Sequence, residues 1–349
     1  MDSSDGKENI EFRKVQITGK SSYIVSLPKN WIKINNIKRG DTIAITQEEE
    51  GQLRINKVLE TKKKEKPAPK ILLDSLSDSE LVTTILGNYV MGVDNLEIIS
   101  KKKDMDSSQK RAAVDSIRNL IGFEVISESA NSIKVKNLLE PSDFNLEEVV
   151  NRLALVASSM FKKAIKGIVD TNLENMKEIE AQDDEVDRLY LLIQRLLTLG
   201  IRDKAIARKI GLDNGGAAMG WSVVVRSIER IADASMEISQ QTESFKNIKI
   251  PSDIQKLYSK LSDEAITLID EVLTAGTQKD PKAAHEIIRK IDKIFKTRSE
   301  IRKAESEKSI EPKILLNLEV INCALKQSLE YVRDYSKVII NSEYWEHIK

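Results

Sequence analysis

The sequence predicts a multidomain, mainly α-helical protein with a β-rich N-terminal domain, a small α/β module and C-terminal tandem three-helix bundles. Apolar residues recur at helical spacing through the C-terminal part. Short segments rich in β-branched residues fill the N-terminal part. The composition of the 349 residues agrees, because 14 glycines, 5% aromatic and 32% charged residues are typical of a helix-rich protein with charged faces.

The N-terminal part divides into three stretches. Residues 1–10 are polar and predict a disordered start. Residues 11–59 contain the β-like segments RKVQIT, SYIVSL, TIAI and LRINKV, which glycines and a proline separate. Residues 60–70, ETKKKEKPAPK, combine charge with two prolines and lack large apolar side chains. This composition indicates a linker.

Residues 71–139 predict a small α/β module. The segment DSELVTTILGNYV predicts a helix capped near Ser77 or Asp78, and SSQKRAAVDSIRNL predicts a helix that Gly122 ends. The segment NLEIIS predicts a strand, and the residues after Gly122 predict a hairpin that turns at Ala130-Asn131. We expect this module to act as a spacer or as a second dimer contact.

Residues 142–342 are almost purely helical in pattern, and Gly or Pro residues separate most of the helices. Residues 203–216 are interpreted as a short linking helix. Similar segments recur at a nearly constant offset, VDRLY with IDKIF and IERIAD with LEYVRD, which indicates a duplicated three-helix unit, at about 142–242 and 251–342. Six long helices are predicted near residues 143–171, 174–200, 216–242, 252–276, 282–306 and 310–341.

Acidic pairs lie at the edge of the apolar stripes of two of these helices. Asp183 stands where the bundle register requires an apolar residue, and Asp187 follows one turn later. In the next long helix, Glu229 and Asp233 form a second pair at the same spacing. Like charges at this spacing repel each other. Four such carboxylates at one helix seam must therefore either take up protons or hold a cation.

Carboxylate ligands favour hard or borderline metals, namely magnesium, manganese, calcium or iron. Zinc is disfavoured, because the two histidines, at positions 285 and 347, belong to neither acid set. The second unit offers a weaker set, since Ile288 stands at the position that matches Asp183. Its three acids are Asp292, Glu330 and Asp334. The alternative interpretation of both sets is a solvated acidic helix face without metal.

The segments DDEVDRLY and ERIADASMEI, in two tandem three-helix units, resemble PhoU, the family of phosphate-uptake regulators. The resemblance covers residues 142–342. It implies metal ions at the E/DxxxD motifs of the second and third helix of each unit, with phosphate as a further candidate ligand. The family has a histidine after the third-helix motif, whereas Ala234 and Tyr335 stand there in this sequence.

The segment RKVQITGKSSYIVSLPKNWIKINNIKRGDTIAI resembles the SpoVT/AbrB swapped-hairpin family, through its SLPKNW step and the Gly40-Asp41 turn. The resemblance implies an intertwined homodimer that binds DNA. Residues 11–45 carry seven basic residues against two acidic ones, which suits a phosphate backbone. The alternative is a domain that only dimerises. Lys38 and Arg39 are expected in a turn, and the candidate DNA contacts are Arg13, Lys14, Lys20, Lys29 and Lys33.

The whole chain is therefore expected to be a phosphate-responsive regulator that binds DNA, and the order of its parts resembles a combination found in archaeal proteins. The alternative is a metal-dependent adaptor that restrains a phosphate transporter or signalling kinase. No nucleophile–base or Cys/His arrangement is apparent, so we expect no enzyme. The polar N-terminus, the single Cys323 and the absence of an apolar run of about 20 residues predict a cytoplasmic protein without membrane insertion.

Overall fold

The computed structural model describes residues 10–19, 21–47, 51–57, 68–101, 104–170, 176–212, 215–243, 251–306 and 311–345. The chain forms two compact units, Met1–Pro67 and Ala68–Lys349. Almost all of the predicted disordered start, most of the predicted linker and Lys20 lie outside the described residues. Among the described helices, none combines the length and apolar character needed to cross a membrane.

The first unit contains two antiparallel hairpins with a short helix between them. Asp41 shapes the turn before the second hairpin, because its carboxylate accepts a hydrogen bond from the Lys38 backbone N–H at 2.9 Å. The expected turn at Lys38 and Arg39 is confirmed. The elements are β1 (Gln16–Thr18), β2 (Ser22–Ile24), α1 (Lys29–Ile34), β3 (Ile43–Gln47) and β4 (Leu53–Lys57).

Large apolar side chains of the first unit are exposed. Phe12 is 92% exposed, Tyr23 74% and Ile34 71%. Within the described residues of this unit, no side chain is buried. A single copy of these hairpins therefore removes little apolar surface from water, and that burial is the main source of stability for a folded domain.

The second unit begins with a four-stranded sheet in the order β5-β6-β8-β7, in which β5 and β6 are parallel and the other pairs antiparallel. Buried apolar residues from its strands and both of its helices form one core. The elements are β5 (Lys70–Leu72), α2 (Asp78–Val90), β6 (Asn95–Ile99), α3 (Ser107–Arg118), β7 (Phe123–Glu128) and β8 (Ser132–Asn137).

Local signals in this module are mostly confirmed. Ser77 caps α2, and its side chain and that of Glu80 bond reciprocally to the backbone as a capping box. The hairpin turns between β7 and β8 as expected. The prediction that Gly122 ends α3 is wrong, because the helix ends at Arg118 with Asn119 as its cap. Gly122, at φ +89°, instead forms the turn into β7.

All six long helices predicted from the sequence are confirmed, and a short helix links the second to the third. The helices are α4 (Leu146–Asp170), α5 (Met176–Arg202), α6 (Lys204–Ile210), α7 (Gly215–Glu243), α8 (Ser252–Gln278), α9 (Pro281–Ser306) and α10 (Pro312–Trp345). Three of the long helices, α4, α5 and α7, pack together, as do α8, α9 and α10. The two groups share one continuous core, in which α7 packs on α10 and α4 on α8.

One buried arginine joins α5 to the α/β module. Arg195 is only 3% exposed. Its Nη1 atom donates to the carbonyl oxygens of Tyr89 and Val93 at 2.8 and 2.9 Å, and its Nη2 atom donates to Asp94 Oδ1 at 2.6 Å. The guanidinium carbon also lies 5.1 Å from the centre of the Tyr89 ring. A buried charge that is hydrogen-bonded on several sides fixes the module against α5.

We expect Arg195→Met to lower the free energy of unfolding by about 2–4 kcal/mol, because the buried carbonyl oxygen of Tyr89 and the partly buried one of Val93 lose a charged donor. Urea unfolding followed by circular dichroism measures the loss. The matched control is Arg188→Met, which removes an exposed arginine from the same helix. Equal effects of the two substitutions would contradict the role assigned to Arg195.

Candidate functional site

The four acids of the first bundle lie at the seam between α5 and α7, which pack against each other. Asp183 and Asp187 are one turn apart on α5, and Glu229 and Asp233 are one turn apart on α7. Glu229 is buried and Asp183 half-buried, whereas Asp187 and Asp233 are exposed. The structure therefore places the four predicted residues along one helix seam, with one half facing the core and the other facing solvent.

The carboxylates act on one another electrostatically. Burial is the main cause that raises the pKa of Glu229 to about 7; Asp233 and Asp187 act in the same direction, and Arg226 and Arg230 act against them. Burial, with the negative charges of Asp187 and Asp233, raises the pKa of Asp183 to about 6. The pKa of Asp187 is also raised, first because its position at the seam removes part of its hydration and then by the negative charge of Asp233. The cluster thus has too little positive charge nearby to keep all its members ionised at low cost.

Two arginines of α7 compensate the cluster in part. Arg226 Nη1 lies 3.2 Å from Glu229 Oε1 and also donates to the Tyr190 hydroxyl at 3.3 Å. Arg230 is farther away, with its Nε 3.8 Å from Glu229 Oε2 and its Nη1 3.8 Å from Asp233 Oδ2. Among the described residues, none hydrogen-bonds the buried Oε2 atom of Glu229. A buried carboxylate oxygen without a hydrogen bond is costly, which marks it as a position for a proton or a cation.

The chemistry of the first set fits a hard metal ion, because all its donors are carboxylate oxygens and one is buried without a hydrogen bond. As the side chains stand, no three His, Cys, Asp or Glu side chains in the described part of the chain converge closely enough to hold a metal. Binding would require the side chains to close on the ion. The exposed Asp187 and Asp233 are free of core packing and can change their torsions to do so.

The second acid set lies between α9 and α10 and has a different environment. Arg333 Nη2 donates to Asp292 Oδ1 at 2.7 Å, and Arg333 Nε lies 3.6 Å from Glu330 Oε2. Lys337 Nζ lies 2.9 Å from Asp334 Oδ1. Each of the three carboxylates therefore already has a basic partner from α10.

Four of the five candidate DNA-contact residues lie within the described part of the chain. Arg13 and Lys14 are exposed just before β1, and Arg13 pairs with Glu11. Lys29 and Lys33 are exposed and one turn apart on α1, so they lie on the same face of that helix. Lys20 lies outside the described residues.

The basic residues beside the acids were not predicted from the sequence. The spacing of Arg226 and Glu229, three residues apart on one helix, is a local signal that could have revealed their ion pair. No local signal reveals that Arg333 reaches Asp292, because the two residues lie on different helices and are 41 positions apart.

Comparisons with known proteins support both resemblances. The sequence model of the PhoU domain matches residues 150–242, and that of the MazE bacterial antitoxin, described as an antidote-toxin recognition domain, matches residues 16–68. Among curated proteins, none matches the chain.

Two solved structures are similar to the helical part. PhoU from Pseudomonas aeruginosa shares 12% sequence identity at a TM-score of 0.50, over 58% of this chain and 96% of that one. The phosphate transport system regulatory protein PhoU from Streptococcus pneumoniae shares 15% identity at a TM-score of 0.49, over 58% and 94%. The first likeness shows the fold of the helical part. The chain therefore combines a region that matches the PhoU domain with an N-terminal region that matches a MazE-type, AbrB-like antitoxin domain, as the sequence motifs predicted.

Proposed function

We propose that the protein is a cytoplasmic, phosphate-responsive regulator that binds DNA through its first unit and a divalent cation in its first helical bundle. The observation that carries this proposal is the buried oxygen of Glu229 that accepts no hydrogen bond from the described residues, within a four-carboxylate seam of the PhoU-like region. The domain match supports a role in phosphate homeostasis. Within that domain, the acid seam carries negative charge that nearby basic residues compensate only in part.

In this proposal, Glu229 and Asp183 hold the buried side of the cation and Asp187 and Asp233 close over it from solvent. Magnesium, manganese, calcium or iron suits these ligands. A bound cation would supply positive charge to the seam, and its remaining coordination positions would be available to an anion such as phosphate. Arg226 and Arg230 lie at the edge of the seam and would add to the attraction of an anion.

We assign a homodimer to the first unit. Its described residues expose Phe12, Tyr23 and Ile34, and none of them is buried in one copy. A second copy of the same hairpins would cover these side chains and supply the missing core. Dimerisation also places two copies of the exposed Lys29–Lys33 pair on one assembly, which doubles the positive charge offered to DNA phosphates.

A second candidate function rests on the same exposed apolar surface, because that surface requires a dimer whether or not DNA is bound. In this alternative the protein is a metal-dependent adaptor that restrains a phosphate transporter or a signalling kinase. Specific capture of the transporter's ATPase subunit by the full chain, without occupancy of DNA in cells, would favour it over the first candidate.

The double substitution Asp187→Ala and Glu229→Ala is expected to abolish stoichiometric binding of divalent cation in the first bundle, since it removes one ligand from each helix. Metal content after loading with Mn²⁺ and desalting, measured by mass spectrometry, gives the result. The control is Glu180→Ala with Glu237→Ala, which removes exposed acids from the same two helices. Unchanged metal content in the Asp187/Glu229 variant would refute the site.

Replacing Lys29 and Lys33 by Ala in the full chain should weaken DNA binding and reduce the slope of log affinity against log salt by about 2 for each chain, because about one phosphate contact is lost per lysine. Fluorescence anisotropy with genomic fragments at several salt concentrations measures both quantities. Lys256→Ala with Lys260→Ala is the control, since it removes two exposed lysines at the same spacing from α8. If the wild-type chain shows no salt-sensitive binding, the adaptor becomes the better account.

A further inference from the structure

We propose that the second bundle has exchanged its metal ion for an arginine, so that Arg333 is the fixed counter-ion of Asp292 and Glu330 and this bundle binds no divalent cation. The PhoU resemblance implies metal in both bundles, and the sequence supplies three acids for a second site. The side chains around those acids disagree with that expectation. This inference stands whether or not the first bundle binds a metal.

The guanidinium of Arg333 occupies the space between the two acids. It reaches from α10 to α9, with its Nη2 2.7 Å from Asp292 Oδ1, and it pairs with Glu330 on its own helix. The group lies 5.4 Å from the centre of the Phe295 ring, one turn beyond Asp292 on α9. The side chain of Arg333 is only 21% exposed. Ion pairs on two helices and an aromatic face therefore hold the cation in one place.

A divalent cation would have to displace this group. The guanidinium carries a positive charge, so it would repel the metal as long as it remained beside the two carboxylates. Removing it would break a charge-assisted hydrogen bond and the contact with Phe295. The remaining acid, Asp334, is already paired with Lys337, and Ile288 stands where the first bundle has Asp183.

The first bundle has no arginine at the position that matches Arg333. Its Arg226 lies over the Tyr190 ring and hydrogen-bonds Glu229 of its own helix, but among the described residues it bonds no acid of α5. Matching Glu330 to Glu229 and Asp334 to Asp233 places Ala232 at the position of Arg333. Ala232 is fully buried and has no charge, and the two arginines of that bundle approach Glu229 from other positions. The two bundles thus solve the same like-charge problem differently. In the second bundle Arg333 hydrogen-bonds the acid of the facing helix, while its Nε atom, 3.6 Å from Glu330, makes no hydrogen bond; in the first bundle the acid Glu229 itself keeps a buried oxygen without one.

The test titrates Mn²⁺ into the full chain carrying Asp187→Ala and Glu229→Ala, with the second acid set intact. We expect no bound manganese after desalting and no rise of the melting temperature on adding Mn²⁺. The companion variant adds Asp292→Asn and Glu330→Gln to the same chain. Manganese that binds the first variant and is lost from the companion would overturn the proposal.

A second measurement tests the counter-ion role of Arg333 itself. Arg333→Met should lower the melting temperature of the full chain by about 3 °C or more, because Asp292 and Glu330 lose their shared partner. Lys337→Met is the matched control, since it breaks the more exposed pair with Asp334 and should shift the melting temperature by less than about 1 °C. Equal shifts in the two variants would contradict the assignment, and the manganese titration decides the metal question even if Arg333→Met fails to fold.

Discussion

The helical part of this protein depends on how negative charges at a helix seam are neutralised. Carboxylates one turn apart on a helix repel each other, and a facing pair on the next helix adds to the repulsion. In the first bundle this cost appears as raised pKa values for Asp183 and Glu229. In the second bundle the guanidinium of Arg333 offsets the repulsion, because it pairs with Asp292 on α9 and with Glu330 on α10. A three-helix bundle can hold such carboxylates beside its core only when a basic side chain, a cation or a bound proton compensates their charge.

The acid seam shares the helix α5 with the contact that holds the α/β module. The N-terminal half of α5 bears Asp183 and Asp187, and its C-terminal half bears Arg195, which binds the α/β module. One rigid element thus connects the candidate cation site with the module. The α7 helix, which carries the other two acids, packs along α10 of the second bundle. The two helices that form the seam therefore also carry the contacts with the α/β module and with the second bundle.

Much of this organisation could be predicted from local sequence. Three of the long helices begin at or just after a proline, namely Pro251, Pro281 and Pro312, because proline cannot continue a helix from the preceding turn. The helix boundaries predicted from the sequence therefore lie close to the observed ones. The acid pairs were visible because they interrupt an apolar stripe. Strand β5 was missed, because three residues after a proline-rich linker are too few to show an alternating pattern.

Charge partners were the part that the sequence did not reveal. Arg333 and Arg195 act on residues 41 and about 100 positions away, so their roles depend on which helices become neighbours rather than on spacing. The same holds for burial, since Glu229 and Asp233 look alike in sequence but only Glu229 lies in the core. Local patterns can find a cluster of like charges, and tertiary structure determines what compensates it.

The most direct measurement is the melting temperature of the metal-free full chain from pH 5 to pH 8, compared with Glu229→Gln. Because the pKa of Glu229 is about 7 in the folded protein and 4.5 in its ordinary state, the folded chain binds more protons than the unfolded chain between these values. Stability must then fall as the pH rises through about 7. From pH 5 to pH 8, we expect the melting temperature of the wild type to fall more than that of the Glu229→Gln variant. Parallel profiles would show that Glu229 is already compensated, and would contradict the account of the first bundle.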